Sequence, residues 1–468
     1  MTTSSSELCL LSLEDLAQLI ASKQVSPVDV TQAVLDRIER LNPQLNAFIT
    51  ITGEQAIEQA RVAEQEIAAG RYRGTLHGVP IALKDLYATK GVRTTAGSKI
   101  LADWIPDHDA TVVAKLNTAG AISVGKLGMH EFAYGGTSDN PHYGTIRNPW
   151  NTDHTPAGSS GGSGAATSAG LAFATLGSDT GGSIRMPASF NGCVGLMPTY
   201  GRASLYGAVP MSWSLDHPGP LTRTVRDAAI VTQSIGGRDP LDPSTADRAM
   251  PDLLDGIERG PKGLHIGVPR QYFFDRADAD VVASVRSAIA ALESAGAEIR
   301  EVNYEVAPQY IAAWTAVAVA ETAAYHAPNF PSRRADYGAD VATLLDMGQT
   351  LPAIQYINAY RYMQDVRASG ADALLDGVDV LAVPTMQLTA PTIESARNGA
   401  VAGRFHVLTA VFDLTGQPVI SVPCGLGDNG MPVGISFVSR NWDEATLVRA
   451  ARAYEQVRGD FPAPPIAR

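Results

Sequence analysis

The chain has little cysteine, no excess of positive charge and no long apolar run, and each shortage removes a class of protein. Cys9, Cys193 and Cys424 are its 3 cysteines; they are too few and too scattered for a disulfide framework, and none belongs to a CxxC pair that would bind zinc. Reduced thiols in the cytosol fit that usage. Against 36 basic residues stand 48 acidic ones, a formal net charge of −12, which is the wrong sign for a protein that tracks phosphate backbones. No stretch approaches the roughly 18 apolar residues of a membrane span. The opening residues, MTTSSSELCLLSLEDL, have no basic segment and reach Glu7 before any apolar run, so they do not read as a secretory signal. The 9 histidines form no HxH or HExxH arrangement, and His130-Glu131 lacks the second ligand that a zinc helix needs. A soluble cytoplasmic protein is expected, with no metal, no other cofactor, and neither nucleic acid nor membrane as a partner.

What is present is ordinary globular material, 45% hydrophobic and 18% charged, enough for a sizeable core. A length of 468 residues allows about three domains or one large α/β core, and leaves the choice open. Ser12 with Asp15 makes a helix start followed by Leu16, Leu19 and Ile20 at helical spacing. Ser26 caps a second helix, with Pro27 at its first position and Val30, Val34, Ile38 and Leu41 on one stripe. A third helix over 54–69 stops at Gly70. Short apolar runs then read as buried strands: Val79 to Leu83, Leu171 to Leu176, Leu264 to Val268, Val378 to Val383, Val419 to Val422 and Val433 to Val438. Helical patterns separate several of them, which indicates an α/β sandwich with a mixed central sheet covered by helices on both faces. Residues 301–363, with Trp314, Tyr325, Tyr356, Tyr360 and Tyr362, read as helices that either cover a site or pack on the sheet.

Between Thr155 and Arg185 the composition changes: TPAGSSGGSGAATSAGLAFATLGSDTGGSIR holds 8 glycines, many serines and an apolar strand. A flexible linker would have no such strand. The segment sets Ser159 and Ser160 ahead of a small-residue helix and Ser183 in a glycine turn after the strand. Glycines let backbone N–H groups approach a ligand, and a row of donors at Thr180, Gly181, Gly182 and Ser183 is what acyl transfer needs around a developing oxyanion; composition alone also admits a purely structural glycine turn.

From Gly158 through Arg185 and on through GCVGLMPTYGR, the chain closely resembles the amidase signature family. The lysine motif of that family is matched by GVPIALKD with Lys84, and the resemblance continues through NPW, GPLTRTVRD, VLAVPT and GQPVISVPCG to PVGISF. It implies one amidase domain over 1–468 with its signature core over 75–230; the helical patterns make 1–70 a helical N-terminal part and leave 301–363 as either a helical lid or helices packed on the sheet. It also implies that Ser183 is the acylated nucleophile, that Ser159, after a cis peptide bond from Gly158, bridges to it, and that Lys84 is the base. Physical chemistry fits these roles: a serine hydroxyl needs a base and a connecting hydrogen bond, and a lysine must be neutral to accept the proton. Discharging it at pH 7 costs about 4–5 kcal/mol, which burial after the apolar run Val79 to Leu83 can offset. Asp179 and Arg185 are expected to brace the turn, Ser160 to support it, and the Ala133 backbone in HEFAYGG to line the substrate.

Two motifs act as decoys. Gly158 to Gly162 satisfies GxSxG with Ser160 in the nucleophile place, yet an elbow serine follows a strand and NPWNTDHTPA is polar and broken by prolines. GAISVGK at 120–126 nearly matches a phosphate loop, but Leu127 stands where a Ser or Thr hydroxyl would hold magnesium. Met197, Asn191, His130 and His217 depart from common family patterns. The last two weaken the likeness to the amidotransferase A subunit, in which DEF and LDQIGP are usual. The expected function is hydrolysis of a carboxamide C–N bond, extending to ester and carbamate (urethane) bonds, by a monomer or homodimer acting on a small molecule. The alternative is the glutamine-hydrolysing A subunit of a tRNA-dependent amidotransferase.

Overall fold

The computed structural model describes residues 5–304, 306–369 and 372–468. Residues 1–4 of the expected helical N-terminal part, and Glu305 within the expected helical cover, lie outside them. The expected helix starts form as chemistry requires. The Ser12 side chain accepts the Asp15 N–H at the head of Leu13–Ala21, and Ser26 accepts from Val28 and Asp29 at the head of Pro27–Leu45. The third helix runs Gly53–Ala68, and the chain leaves it through Gly70 in the left-handed region.

The strands, in chain order, are β1 Phe48–Ile51, β2 Pro80–Lys84, β3 Ile122–Leu127, β4 Asp139–Asn140, β5 Gly144–Thr145, β6 Ala174–Asp179, β7 Val194–Met197, β8 His217–Thr222, β9 His265–Pro269, β10 Glu298–Val302, β11 Val380–Pro384, β12 Val419–Leu426 and β13 Pro432–Val438. All but the small β4–β5 hairpin join an 11-stranded mixed sheet in the order β1-β3-β2-β6-β8-β7-β12-β13-β11-β9-β10. Strands β2, β6, β7, β8, β11 and β13 are buried at every position. That requires cover on both faces, and helices such as Gly161–Ser168, Ala279–Ser294 and Glu444–Arg458 supply it.

Every apolar run expected as a strand lies in or overlaps one, with one shift. The run Leu171 to Leu176 becomes β6 only from Ala174, and the strand continues through Gly177, Ser178 and Asp179. Hydrophobicity stops at Leu176, whereas the fold carries the polar residues inward because buried partners await them. Strand β8 gave no apolar signal, and its prolines at 218 and 220 argue against a central strand. The sheet tolerates them because β7 pairs with β8 only at Leu221 and Thr222, past both prolines.

Sheet register places the site. Strands β2 and β6 run parallel with Leu83 opposite Leu176, so Lys84 emerges at the same end as Ser178 and Asp179. Strand β8 runs antiparallel to β6 with Asp179 opposite His217, which brings Asp216 to that end as well.

Candidate active site

Lys84 ends β2 with its side chain buried, and its ammonium lies 2.7 Å from Ser159 Oγ and 2.8 Å from Ser178 Oγ. Ser159 follows a cis peptide bond from Gly158, and its carbonyl accepts the His130 N–H at 3.0 Å. Burial lowers the Lys84 pKa to about 7, against the opposing pull of Asp216 and Asp179. This is the offset that a neutral lysine requires. Burial also raises Asp216 to about 7, although its carboxylate accepts Thr180 Oγ1–H at 2.6 Å and the N–H groups of Met211 and Ser212.

Ser183 sits in the turn between β6 and the helix Arg185–Asn191. No hydrogen bond joins Ser159 Oγ to Ser183 Oγ among the described residues. Ser160 N–H donates to the Ser183 carbonyl at 3.3 Å, and Ser160 Oγ donates to Ser178 O at 3.2 Å while accepting the Ser178 N–H at 3.3 Å. Ser160 therefore ties the lysine-bearing side of the site to the turn. It also begins the helix Gly161–Ser168 rather than ending a strand, so the elbow geometry of the GxSxG pattern is not formed.

The turn is held by one carboxylate. Asp179 accepts from the N–H of Gly182 at 2.5 Å, of Ile184 at 3.0 Å and of Arg185 at 3.3 Å, and from the Arg185 guanidinium at 2.9 Å through both Nε and Nη2. Arg185 also reaches Asp413 at 2.6 Å and the Thr409 carbonyl at 3.0 Å. Burial opposes the ionised form of Asp179, but the Arg185 charge and these hydrogen bonds hold its carboxyl well below the usual range. The Gly182 N–H, expected among the oxyanion donors, is thus already engaged by Asp179. Among the described residues, the N–H groups of Thr180, Gly181 and Ser183 have no acceptor within the chain. His217 lies against Asp179 O at 3.3 Å, and burial lowers its pKa to about 3, so it carries no charge at neutral pH.

Ser183 opens on a cavity of about 310 Å³ whose wall includes Ala133, Gly181, Met186, Met211, Trp314, Ala318, Val319, Leu344, Met347, Phe405 and His406. Ala133 has φ +59°, on a turn fixed by Glu131, which accepts from Ser98 Oγ at 2.5 Å and from Gly338 N–H at 2.7 Å. The helices Pro308–His326 and Ala339–Thr350 contribute Trp314, Ala318, Val319, Leu344 and Met347. Of the aromatic residues singled out in that region, only Trp314 reaches the cavity; the rings of Tyr356 and Tyr360 pack on each other, and Tyr362 packs on Tyr310. A larger hollow of about 580 Å³ beside Glu66 and His77 gathers none of these residues.

The departures settle locally. His130 Nε2 contacts Asp340 at 2.9 Å. Asn191 donates to Pro156 O at 2.8 Å and Pro187 O at 2.7 Å, and Met197 is buried in β7. The near-phosphate loop is strand β3: Lys126 is buried and donates to Tyr87 O at 2.5 Å and Thr94 Oγ1 at 2.7 Å. Among the described residues, no three His, Cys, Asp or Glu side chains gather where they could hold a metal. Sequence reasoning missed Ser178, Asp216, Thr409 and Asp413. Ser178 was visible as a polar residue inside the glycine-rich segment, but Thr409 and Asp413 lie more than 200 residues from the turn they brace and carry no local signal.

A family model described as Amidase matches residues 29–448. The chain is 42% identical over 471 residues to the A subunit of glutamyl-tRNA(Gln) amidotransferase from Geobacter sp. (strain M21), covering 95% of this chain and 97% of that one. Among solved structures, peptide amidase from Stenotrophomonas maltophilia superposes with a TM-score of 0.88 at 31% identity, covering 98% of this chain and 99% of that one. A structure from a vestigial protein complex, described as revealing the origins of an s-triazine catabolic enzyme, gives 0.90 at 34% identity, covering 95% and 98%.

Proposed function

The chain belongs to the amidase family, and from that premise we propose that it hydrolyses uncharged, largely apolar carboxamides through an acyl-enzyme on Ser183. The observation that carries the substrate class is the cavity wall. Among the described residues lining it there is no Asp, Glu, Lys or Arg, and burial lowers the pKa of its one histidine, His406, favouring the neutral ring. An amino acid head group would bring two charges into this space without a partner, at a cost of several kcal/mol.

In the proposed cycle Ser183 Oγ attacks the carbonyl carbon while its proton passes to Ser159 Oγ, and the Ser159 proton passes to Lys84 Nζ. The short Lys84–Ser159 contact and the lowered lysine pKa support that route. Catalytic hydrogen bonds are often open before substrate binds, and the cycle requires a Ser183–Ser159 hydrogen bond to form with the substrate in place. The oxyanion takes the N–H groups of Ser183, Gly181 and Thr180. The proton returns through Ser159 to the leaving amine, and water then releases the acid by the same relay. Esters and carbamates offer the same carbonyl chemistry and belong in the substrate panel. The helices over 301–363 act as a cover, a reading supported by the residues that two of them contribute to the cavity lining.

The test is incubation of the purified chain with p-nitroanilides, aryl esters, carbamates and glutamine, with mass mapping of a fluorophosphonate adduct. Turnover of apolar amides without a partner protein and label on the Ser183 peptide are expected. Label elsewhere, or near-normal activity of Lys84→Ala at pH 7, would overturn the relay. A second reading, the glutamine-hydrolysing component of an amidotransferase, draws on the 42% identity to a protein of that name; it predicts ammonia release from glutamine and little activity on anilides without a complex.

A further inference from the structure

We infer that Trp314 is a positioning residue for the oxyanion donors, a role that rests on the acyl-enzyme reading above. A trans peptide holds its C=O and the following N–H in one plane and in opposite directions, so whatever grips the carbonyl decides where the next N–H points. Four such planes make up the turn from Thr180 to Ile184. The Gly181–Gly182 plane is gripped at both ends, by Thr409 Oγ1 on the carbonyl at 2.5 Å and by Asp179 on the N–H at 2.5 Å. The Gly182–Ser183 plane is held by Met186 N–H on the carbonyl at 2.7 Å. The Ser183–Ile184 plane is held by Ser160 N–H and by Asp179. All these anchors lie in the protein interior.

The Thr180–Gly181 plane differs. Its carbonyl accepts the indole N–H of Trp314 at 2.7 Å, and this places the Gly181 N–H on the side away from the indole. Trp314 comes from the helix Pro308–His326, 134 residues on in the sequence, and its ring is also part of the cavity wall. The ring stacks on His406 with centroids 4.9 Å apart and planes 25° off parallel. A side chain at Gly181 would strike the indole, so glycine lets the ring lie flush on the turn. One residue therefore shapes the space for the acyl group and aims a donor at the oxyanion. A substrate that fills the cavity against Trp314 steadies that donor, and its binding energy is expressed in kcat more than in KM.

Two variants separate the functions. Trp314→Phe keeps a ring against His406 and the cavity but removes the N–H. Trp314→Gln keeps an N–H donor and removes the ring. Both are checked for folding by thermal denaturation and assayed on the best apolar amide. For Trp314→Phe, kcat is expected to fall about tenfold with KM nearly unchanged, since loss of a direct oxyanion donor costs about 10²–10³ and an indirect one less. Its rate of fluorophosphonate labelling at Ser183 should fall in parallel. For Trp314→Gln, KM should rise and kcat should fall less than for Trp314→Phe. If Trp314→Phe matches the wild type in kcat and labelling rate, or changes KM alone, Trp314 is only a wall and the inference fails by itself. A wild-type enzyme that hydrolyses no amide and takes no label at Ser183 removes the acyl-enzyme reading and this inference with it.

Discussion

Lys84 and Ser159, 75 residues apart in the sequence, meet at 2.7 Å between Nζ and Oγ in a fully buried setting. The contact joins the end of a central strand to the residue after a cis peptide bond, and the lysine there has a pKa of about 7 where 10.5 is ordinary.

If neutral Lys84 is the base, kcat/KM must rise with pH through a midpoint near 7. Asp216 titrates in the same range and, when ionised, favours the charged lysine. Asp216→Asn removes that negative charge, so the midpoint should move to lower pH. A pH–rate profile on an apolar amide checks both, and a midpoint that stays put in Asp216→Asn would remove Asp216 from the account.

The same burial makes Lys84 costly to fold. Its folded pKa is about 7 against 10.5 for the free side chain, so between those values the unfolded chain holds a proton that the folded chain has released. Stability therefore rises with pH across that window, and the penalty is complete below about 7. Lys84→Met should stabilise the protein by about 1–4 kcal/mol at pH 6 and by much less near pH 10, while abolishing activity. Thermal denaturation at the two pH values measures this; an equal shift at both would contradict it.

Arg185 is buried between Asp179 and Asp413. Arg185→Met leaves both carboxylates without their counter-charge, and loss of one partner from a buried pair costs about 3–5 kcal/mol. Arg185→Lys should restore little, because one ammonium cannot replace the guanidinium fork that reaches Asp179 through two nitrogens. Urea denaturation reads the stability change, and wild-type midpoints in either variant would refute it.

Leu344 lines the largely apolar cavity on which Ser183 opens. Leu344→Glu places an ionisable group there and should lower kcat/KM for an apolar anilide by about 10–100-fold, the scale of 1–3 kcal/mol in pocket discrimination. An amide with a cationic acyl group should lose less. The ratio of the two specificity constants decides the matter, and an unchanged ratio would remove the wall from substrate choice.

The candidate site was legible early because its residues are concentrated in short segments. The glycines around Ser183, the serines at 159 and 160 and the apolar run ending at Lys84 each mark their own place in the sequence. The strands read from the sequence all carry a continuous apolar run, but β1, β3 and β7 were passed over, and two further strands offered no such run. Edge strand β10 is mostly exposed and charged, and β8 carries two prolines, so neither shows an apolar run.

By itself the sequence determined many of the local elements, the family, and the candidate residues for acyl transfer, because propensity, capping and motif chemistry act over a few positions. Only the tertiary structure decided which donors of the turn are free, what surrounds the lysine, and the apolar character of the cavity. Those properties arise where β2, β6 and β8 end together and where Trp314, Thr409 and Asp413 return from far along the chain. The strength of a buried charge or hydrogen bond depends on every neighbour that excludes water from it, and no local stretch of sequence contains those neighbours.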